Sequence, residues 1–477
     1  MPDHTLHRLW WAACLPLVLT ACATQAPPPQ VDAPTPTAWQ APLPHQGSVQ
    51  ALGDWWAQWG DPLLVELVQD AQALSPDLAQ AQSRIVQARA ALTGSRAALT
   101  PSVDAQASAS RGFNESVRAV ASTAQAGLQA QWEIDLWGGN VAAERAASER
   151  LQGAQAQWHA ARVSVAAEVA LQYSSLRTCL QQQAIAEDDE RSRAQTARLS
   201  QQSERAGFTA PATHALAQAS AAEAVVRSAQ QRMQCALELK ALVALTGRDE
   251  ATLRTRLAPT PLQPPTDALL RIATLPAQVI AQRPDVYAAE REVAAASADV
   301  GQAQAQRYPR LALSGTIGAA QVRTQGLQTD LNTWSLGPLA LSLPLLDGGR
   351  RAAQVDAARA RYDEAVAVYQ GRVRQAVSEV EQALVRLQST AERADSARAA
   401  VQGYRTSFDA TEARWRGGLA SLVELEDARR TLLAAQTTLV ALQHERQSAW
   451  VALYRAAGGG FDAANPTAPN TPAAPAL

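Results

Sequence analysis

Residues 124–136 alternate strictly between apolar and polar side chains. Strict alternation predicts a β-strand with one apolar face and one polar face. The polar face is too hydrophilic for a buried core, and it suits a strand with lipid on one side and water on the other. The apolar positions are Ala124, Ala126, Leu128, Ala130, Trp132, Ile134 and Leu136, and the alternating positions are Gln125, Gly127, Gln129, Gln131, Glu133 and Asp135.

Three further stretches show similar alternation and predict three more strands. They lie at about 102–110, 311–320 and 334–345. A polar loop is expected over Arg111–Ser122, between the first strand and the strand at 124–136. Pro338 and Pro344 fall in the last stretch, and they predict distorted strand ends because proline cannot donate a hydrogen bond to a strand ladder.

A long helical pattern follows each predicted pair of strands. After Gly139 the apolar residues step by three and four, as in a coiled-coil seam, and no helix breaker occurs before Gly207. About 67 helical residues would span about 100 Å at 1.5 Å per residue. The second half repeats the pattern at an offset of about 211 residues. We therefore expect helical hairpins at about 139–246 and 349–457, with tips at Gly207 and Gly418.

The duplication predicts how the chain is divided. One structural repeat covers 51–247 and a second covers 278–460. Residues 248–277 contain several prolines and are expected to be irregular, and 461–477 form a Pro/Ala/Asn tail that is expected to be disordered. The predicted fold class is mainly α-helical, with a duplicated helical hairpin and four membrane β-strands per chain.

The N-terminal residues are typical of a bacterial lipoprotein. Residues 1–21 are predicted to be a signal peptide, with an apolar segment at Leu9–Leu19. Leu19-Thr20-Ala21-Cys22 resembles a lipobox, in which the Cys22 thiol accepts an acyl chain such as palmitate. The alternative is an ordinary signal cleaved near Ala21–Ala23. Residues 22–50 are expected to form a lipidated, Pro-rich tether with no packed core.

Composition argues against several classes of function. The chain has 477 residues and a formal net charge of -2, so no nucleic-acid-binding surface is expected. The six histidines are scattered, and no HExxH, GxSxG, P-loop or suitably placed GxGxxG motif occurs. We therefore expect no enzymatic activity, cofactor or metal site. After the N-terminus no apolar run reaches the roughly 18 residues of a membrane helix, so a membrane crossing would require strands.

Two cysteines lie beyond the signal. Cys179 and Cys235 flank Gly207 almost symmetrically and could lie at similar heights in the first hairpin. Packed helix axes are usually too far apart for a disulfide. We therefore predict buried free thiols, with a disulfide as the alternative.

The order of motifs along about residues 50–460 resembles that of the TolC-like outer-membrane efflux proteins, in the lipoprotein branch that includes OprM and NodT-type proteins. No single motif is decisive, and the resemblance rests on their order together with the duplication. The motifs are the lipobox, Asp54-Trp55-Trp56 with Asp61-Pro62, Trp132-Glu133-Ile134-Asp135-Leu136-Trp137-Gly138, Leu275-Pro276, Arg283-Pro284-Asp285-Val286 with Ala289-Glu290, and Pro344-Leu345-Leu346-Asp347-Gly348-Gly349.

The strand count requires oligomerisation. Four strands cannot close a membrane barrel, for which about eight are the minimum, and open strand edges are not tolerated in lipid. The resemblance implies three copies, a β-barrel in the outer membrane joined to an α-helical barrel across the periplasm, and a surrounding belt that includes 248–277. It also implies a periplasmic adaptor (membrane fusion) protein and an inner-membrane pump of the RND type, exporting drugs, solvents or metal ions.

Two other functions remain open at this point. A conduit for type I protein secretion has the same fold, and the sequence does not separate it from small-molecule efflux. A periplasmic coiled-coil scaffold lipoprotein would share the long helices and the signal. That scaffold would not need four amphipathic strands or two copies of the helical hairpin.

The strand pattern predicts which side chains of 124–136 contact water in such a channel. The polar face is expected to line the lumen and the apolar face to contact lipid. The lumen-facing residues are Gln125, Gln129, Gln131 and Glu133, and the lipid-facing residues are Leu128, Trp132 and Ile134.

The resemblance also implies a gate at the hairpin tips, Gly207 and Gly418, which would lie deepest in the periplasm. The family carries acidic residues after the tip glycine, and Glu424 and Asp427 stand at those positions. In a trimer these carboxylates would form stacked acidic rings that bind cations and hold a constriction. The alternative is a solvated helix start, where carboxylates are favoured by the helix dipole.

The chain departs from the family near both tips. Thr213 stands where many members have Asp, and His214 follows it. Trp415 and Ala420 stand where TolC has a tyrosine and an arginine. A TolC-style charged lock between neighbouring hairpins is therefore not expected, and Arg416, which could substitute, is expected to have a surface role.

Overall fold

A computed structural model describes residues 26–35, 55–115, 118–257, 280 and 283–461. The predicted signal at 1–21, the lipidation site Cys22 and the motif Leu275-Pro276 lie outside the described residues. The same is true of 258–277 within the segment predicted to be irregular, and of the predicted tail after Phe461.

The described residues form eight helices and one four-stranded sheet. The helices are α1 (Pro62–Leu74), α2 (Pro76–Ala97), α3 (Gly139–Arg205), α4 (Pro211–Thr246), α5 (Glu250–Arg256), α6 (Pro284–Ala305), α7 (Arg350–Arg416) and α8 (Leu422–Ala456). The strands are β1 (Ser102–Asn114), β2 (Ala119–Ile134), β3 (Arg310–Thr324) and β4 (Leu327–Ser342). Helices α3 and α7 each contain 67 residues, the length that the breaker-free runs predict.

Capping residues set where the shorter helices begin. The Asp61 carboxylate accepts a hydrogen bond from the Leu63 amide at 3.0 Å, and Pro62 occupies the first turn of α1, where its missing amide costs nothing. The Asp249 carboxylate caps α5 by accepting from the Thr252 amide at 2.9 Å. Because α5 lies within 248–277, the prediction of an irregular segment is wrong at its start.

The sheet is antiparallel throughout and has the strand order β1-β2-β3-β4. The predicted loop Arg111–Ser122 is wrong, because β1 continues to Asn114 and β2 begins at Ala119. The fourth strand begins at Leu327 and ends at Ser342, earlier at both ends than predicted. Alternation fails in these extensions because both faces of the sheet carry polar and apolar side chains there.

The ladder between β3 and β4 is irregular beside a proline. The register shifts between Leu313 and Gly315, opposite the part of β4 that contains Pro338. Proline has no amide hydrogen to donate, and this accounts for a distortion at that position. The predicted distortion therefore lies inside β4, and Pro344 lies beyond its end.

The chain divides into two compact units. The described residues of the first unit fall within Met1–Pro34, Ala81–Gln157 and Tyr287–Arg372, and they include the sheet. In this unit Val31 packs against a cluster that contains Val293 and Ala365. The Tyr362 hydroxyl also donates to the Pro28 carbonyl at 2.9 Å. The prediction of a tether without packing is therefore wrong for this part of 22–50.

The described residues of the second unit fall within Thr35–Gln80, Trp158–Val286 and Val373–Leu477. Its main core is built on aromatic residues. Trp55 is 2% exposed and lies 5.5 Å, centroid to centroid, from the Tyr454 ring and 6.2 Å from the Trp450 ring. The Tyr173 hydroxyl reaches this region and donates to Asp61 at 2.6 Å. These contacts fix α1 and α8 on the core by burying large apolar surfaces.

Cys179 and Cys235 form a disulfide between α3 and α4, so the prediction of free thiols is wrong. Their Cα atoms lie 5.4 Å apart, within the range a disulfide needs. The α4 face that carries Cys235 buries the small residues Ala224 and Ser228. Small residues at a helix contact let the backbones approach more closely than a typical axis spacing of about 8–10 Å allows.

Candidate functional site

The polar face of the sheet is assembled from all four strands. In the observed register, Gln125, Gln129, Gln131 and Glu133 share one face of β2. Alternating residues of the other strands, such as Gln106 and Thr316, extend this face. Hydrogen bonds tie its side chains across the strands: Gln106 donates to Gln129 at 2.7 Å, and the hydroxyls of Thr316 and Ser335 lie 2.8 Å apart.

A pair of glycines brings β2 and β3 close together in the middle of the polar face. Gly127 and Gly318 are opposite each other in the ladder. A Cβ atom at Gly127 would lie 2.7 Å from the Ile317 carbonyl oxygen, and one at Gly318 would lie 2.7 Å from the Ala126 carbonyl oxygen. Only glycine fits at these two positions. The strand pattern at 124–136 contains Gly127, but nothing in it identifies Gly318 as its partner.

The other face of the sheet is apolar over most of its length. Leu128, Trp132 and Ile134 lie on it, and the register places Ile317, Leu313 and Leu311 beside them. Trp334 on β4 continues the Leu128–Ile317 row and is 79% exposed. The row with Leu128, Ile317 and Trp334 is exposed, whereas Trp132 and Ile134 are half-buried. An exposed apolar row is a surface that water does not favour.

The hairpin tips are turns at the predicted glycines. Gly207 has φ +78° between α3 and α4, and Gly418 has φ +74° between α7 and α8. This left-handed conformation favours glycine because a Cβ atom would be strained there. The chain reverses between helices immediately after each of these residues.

Glu424 and Asp427 are both exposed, and each has a partner three residues away in sequence. Glu424 completes a capping box: the Ser421 hydroxyl accepts from the Glu424 amide at 3.2 Å, and the Ser421 amide donates to the Glu424 carboxylate at 2.7 Å. Asp427 pairs with Arg430 at 2.5 Å. In the single chain both carboxylates therefore have local structural roles, and their role in a gate stays a prediction.

The positions that depart from the family lie around one cavity between the two tips. Thr213, Trp415 and Ala420 all line it, together with Phe208 and other residues of both hairpins. The cavity has a volume of about 870 Å³. Arg416 also lines it and pairs with Glu412 on the same helix at 3.0 Å.

A buried network of ion pairs joins the first helical hairpin to helix α8 of the second. The Arg193 guanidinium contacts Asp189 at 2.9 Å and also contacts Glu426. Arg429, which is 3% exposed, pairs with Glu426 at 2.5 Å and donates to the Thr196 hydroxyl at 3.0 Å. Burial lowers the pKa of the Arg429 guanidinium, and the nearby Arg193 charge lowers it further.

Sequence reasoning missed this network. Its charged residues occur in Arg/Glu-rich helices, where most charges face solvent. The one available signal is the spacing of four residues between Asp189 and Arg193, which is common on exposed helices as well.

The described part of the chain contains neither a metal-binding cluster nor a membrane-spanning helix. Within those residues, no group of three or more His, Cys, Asp or Glu side chains is placed to hold a metal ion. Among the described helices, none is both long enough and apolar enough to cross a membrane.

Comparison with known proteins identifies what this arrangement is similar to. The family model described as outer membrane efflux protein matches residues 67–248 and 275–459. The pyoverdine export outer membrane protein OpmQ of Pseudomonas putida is 31% identical over 488 residues, covering 97% of this chain and 100% of that protein. Outer membrane protein OprJ of Pseudomonas aeruginosa is 30% identical, covering 94% of this chain and 95% of that protein.

A solved structure has the same fold. The outer-membrane channel OprN superposes with a TM-score of 0.80 at 28% sequence identity. The match covers 92% of this chain and 99% of that one.

Proposed function

The chain belongs to the outer membrane efflux protein family, and from that premise we propose that three copies form one channel with a periplasmic adaptor protein and an inner-membrane pump. The protein is an outer-membrane efflux channel, and its family and relatives are channel proteins rather than enzymes.

One observation carries the assembly: the sheet has an exposed apolar face, a polar face and two outer strands. Among the described residues β1 and β4 each pair with a single strand. A barrel in lipid needs about eight or more strands and no open edge. Three copies supply twelve strands, with β1 of one copy beside β4 of the next.

The two faces then acquire different environments. The polar face, with Gln125, Gln129, Gln131 and Glu133, lines the water-filled lumen. The apolar face, with Leu128, Trp132 and Ile134, contacts lipid. This assignment is supported by free-energy cost, because reversing it would place amides and a carboxylate in hydrocarbon.

The gate lies at the hairpin tips in the periplasm, near Gly207 and Gly418. Three copies of Glu424 and Asp427 form acidic rings there. The exposure of both carboxylates supports this role, and the capping box orients Glu424 at the start of α8. The local partner of Asp427, Arg430, is itself exposed, so a bound cation can compete for the carboxylate.

An acyl chain on Cys22 anchors the N-terminus to the outer membrane. The exported compounds are small molecules such as drugs, solvents or metal ions. A relative whose name states pyoverdine export supports this class of cargo. The pump is of the RND type, in keeping with the family resemblance.

Cysteine labelling of neighbouring residues tests the pore. Gln129→Cys and Leu128→Cys place a thiol on opposite faces of β2 at adjacent positions, so each is the matched control for the other. In planar bilayers, a charged, membrane-impermeant thiol reagent is expected to reduce the conductance of the Gln129→Cys channel. The Leu128→Cys channel should behave like the unsubstituted chain. Equal responses of the two variants, or no channels at all, would contradict the proposal.

A further inference from the structure

The exposed apolar face of the sheet ends in a row of different chemistry. From the helix-connected end of the sheet, the first row contains Ile134, Leu311 and Leu341. The rows that follow it toward the hairpin turns are apolar apart from Asn332 on β4, which shares a row with Ala126 and Ala319. The row with Ala124 is the first with several polar members, because Gln321 and Asp330 occupy its β3 and β4 positions.

The next row toward the turns carries two arginines. Arg111 on β1 is opposite Ser122 on β2, Ser122 is opposite Arg323 on β3, and Arg323 is opposite Gln328 on β4. All four side chains share the face that carries Leu128 and Trp132. Both arginines are exposed, and the Arg323 guanidinium donates to the Gln328 side-chain oxygen at 3.0 Å. One strand separates the arginines, so their backbones lie about 10 Å apart.

The position of this row along the sheet matches the edge of a membrane. Ile134 and Ser122 are twelve residues apart on β2, which is about 40 Å at about 3.3 Å per residue. A strand tilt of about 35–45° reduces this to about 30 Å along the membrane normal. The apolar band of a membrane barrel is about 25 Å tall. With one edge of the hydrocarbon placed at the Ile134 row, the arginine row lies about 5 Å beyond the other edge, at the level of lipid headgroups.

We propose that Arg111 and Arg323 form a binding site for a phosphorylated glycolipid of the outer leaflet. The inference rests on the proposed function, because the channel orientation places the β1–β2 and β3–β4 turns on the outer side. Guanidinium groups bind phosphate through paired, charge-assisted hydrogen bonds. Two guanidiniums separated by one strand suit a headgroup with two phosphates on one glycan, whereas a lipid with a single phosphate would engage one of them.

The residues around the row carry charges of both signs. In the β1–β2 turn the Arg118 amide donates to the Glu115 carbonyl at 3.3 Å, so the turn holds one residue of each charge. Asp330 lies one row closer to the apolar band and accepts a hydrogen bond from Gln321 at 3.1 Å. Phe113, in the row beyond Arg111, is 66% exposed and suits the aromatic girdle at a membrane interface.

A glutamine double variant tests the site. The full-length chain with Arg111→Gln and Arg323→Gln is compared with the unsubstituted chain and with Arg310→Gln. Arg310 is exposed on the same strand as Arg323 but lies on the polar face, near the opposite end of the sheet. The probe is diphosphoryl lipid A in mixed detergent micelles, titrated against each purified protein. The affinity of the double variant is expected to fall about tenfold or more, and that of Arg310→Gln to be unchanged.

Two further probes fix the chemistry. Dephosphorylated lipid A should bind the unsubstituted chain weakly. Its affinity should not exceed the affinity of diphosphoryl lipid A for the double variant. Phosphatidylglycerol should bind more weakly than diphosphoryl lipid A. The proposal would be overturned if the double variant bound diphosphoryl lipid A as tightly as the unsubstituted chain does. It would also be overturned if the unsubstituted chain bound dephosphorylated lipid A, or phosphatidylglycerol, as tightly as diphosphoryl lipid A.

The channel itself is measured separately on the same preparations. The double variant should form channels of unchanged conductance in planar bilayers, because both arginines lie on the lipid face. Normal channels without discrimination between the lipids would refute the glycolipid site alone. Absence of channels from the unsubstituted chain would refute the proposed function.

Discussion

Replacing Glu426 by glutamine is expected to loosen the contact between α8 and the first helical hairpin. The Glu426 carboxylate contacts Arg193, accepts from the Ser220 hydroxyl at 2.9 Å, and pairs with Arg429 at 2.5 Å. Glutamine keeps the shape of the side chain but removes its charge. Asp189 would then remain paired with Arg193, whereas Arg429 would lose the one ion pair found for it among the described residues and keep its hydrogen bond to Thr196.

The expected loss follows from the burial of the network. Removing one partner of a buried ion pair costs about 3–5 kcal/mol, because the remaining charge stays desolvated. The Glu426 side chain is 18% exposed, so water relieves part of this cost, and we expect about 3 kcal/mol. At about 1.4 kcal/mol per factor of ten, local opening becomes about 100-fold more frequent.

Native-state hydrogen exchange measures this opening directly. Amides near Arg193 on α3 and near Arg429 on α8 should exchange about 100-fold faster in Glu426→Gln. The matched control is Asp427→Asn, one residue along the same helix, where the pair with Arg430 is exposed and worth less than about 1 kcal/mol. Similar exchange in both variants would show that the Glu426 carboxylate does not hold α8 against the first helical hairpin.

Three further predictions concern the gate, the anchor and the disulfide. Alanine at both Glu424 and Asp427 should raise single-channel conductance in planar bilayers and change its cation dependence; unchanged conductance would remove these residues from the gate. Cys22→Ser should abolish metabolic labelling with radioactive palmitate, and a persistent label would contradict lipidation at this residue. Cys235→Ser should lower the midpoint of thermal unfolding, because a cross-link between residues 56 apart in sequence stabilises by about 4 kcal/mol. Dithiothreitol should lower the midpoint of the unsubstituted chain and leave that of the variant unchanged; a variant with the original midpoint would show that the link to Cys179 contributes nothing.

The parts of the fold that the sequence predicted are those where one signal dominates. Helices α3 and α7 have their predicted lengths because no turn built on glycine or proline interrupts them before the tips. The middle of β2 follows strict alternation because one face of the sheet is apolar there. Near Arg111 and Ser122 both faces are polar, so the strands continue although the alternation ends.

The remaining differences depend on contacts between segments distant in sequence. The disulfide between Cys179 and Cys235 requires a close helix approach that small residues on α4 permit, and spacing along the chain does not reveal it. The same is true of Glu426, whose partner Arg193 lies on another hairpin. Val31 packs on helices far along the chain, although its own segment has the composition of a tether.

Multi-angle light scattering of the detergent-solubilised protein, with bound detergent subtracted, gives the mass of the particle. This mass is the decisive measurement of whether one chain supplies a third of a pore. We expect a particle of three chains that inserts into planar bilayers as a single conducting unit. A stable particle of one chain, or an assembly that contains too few strands to close a barrel, would contradict it.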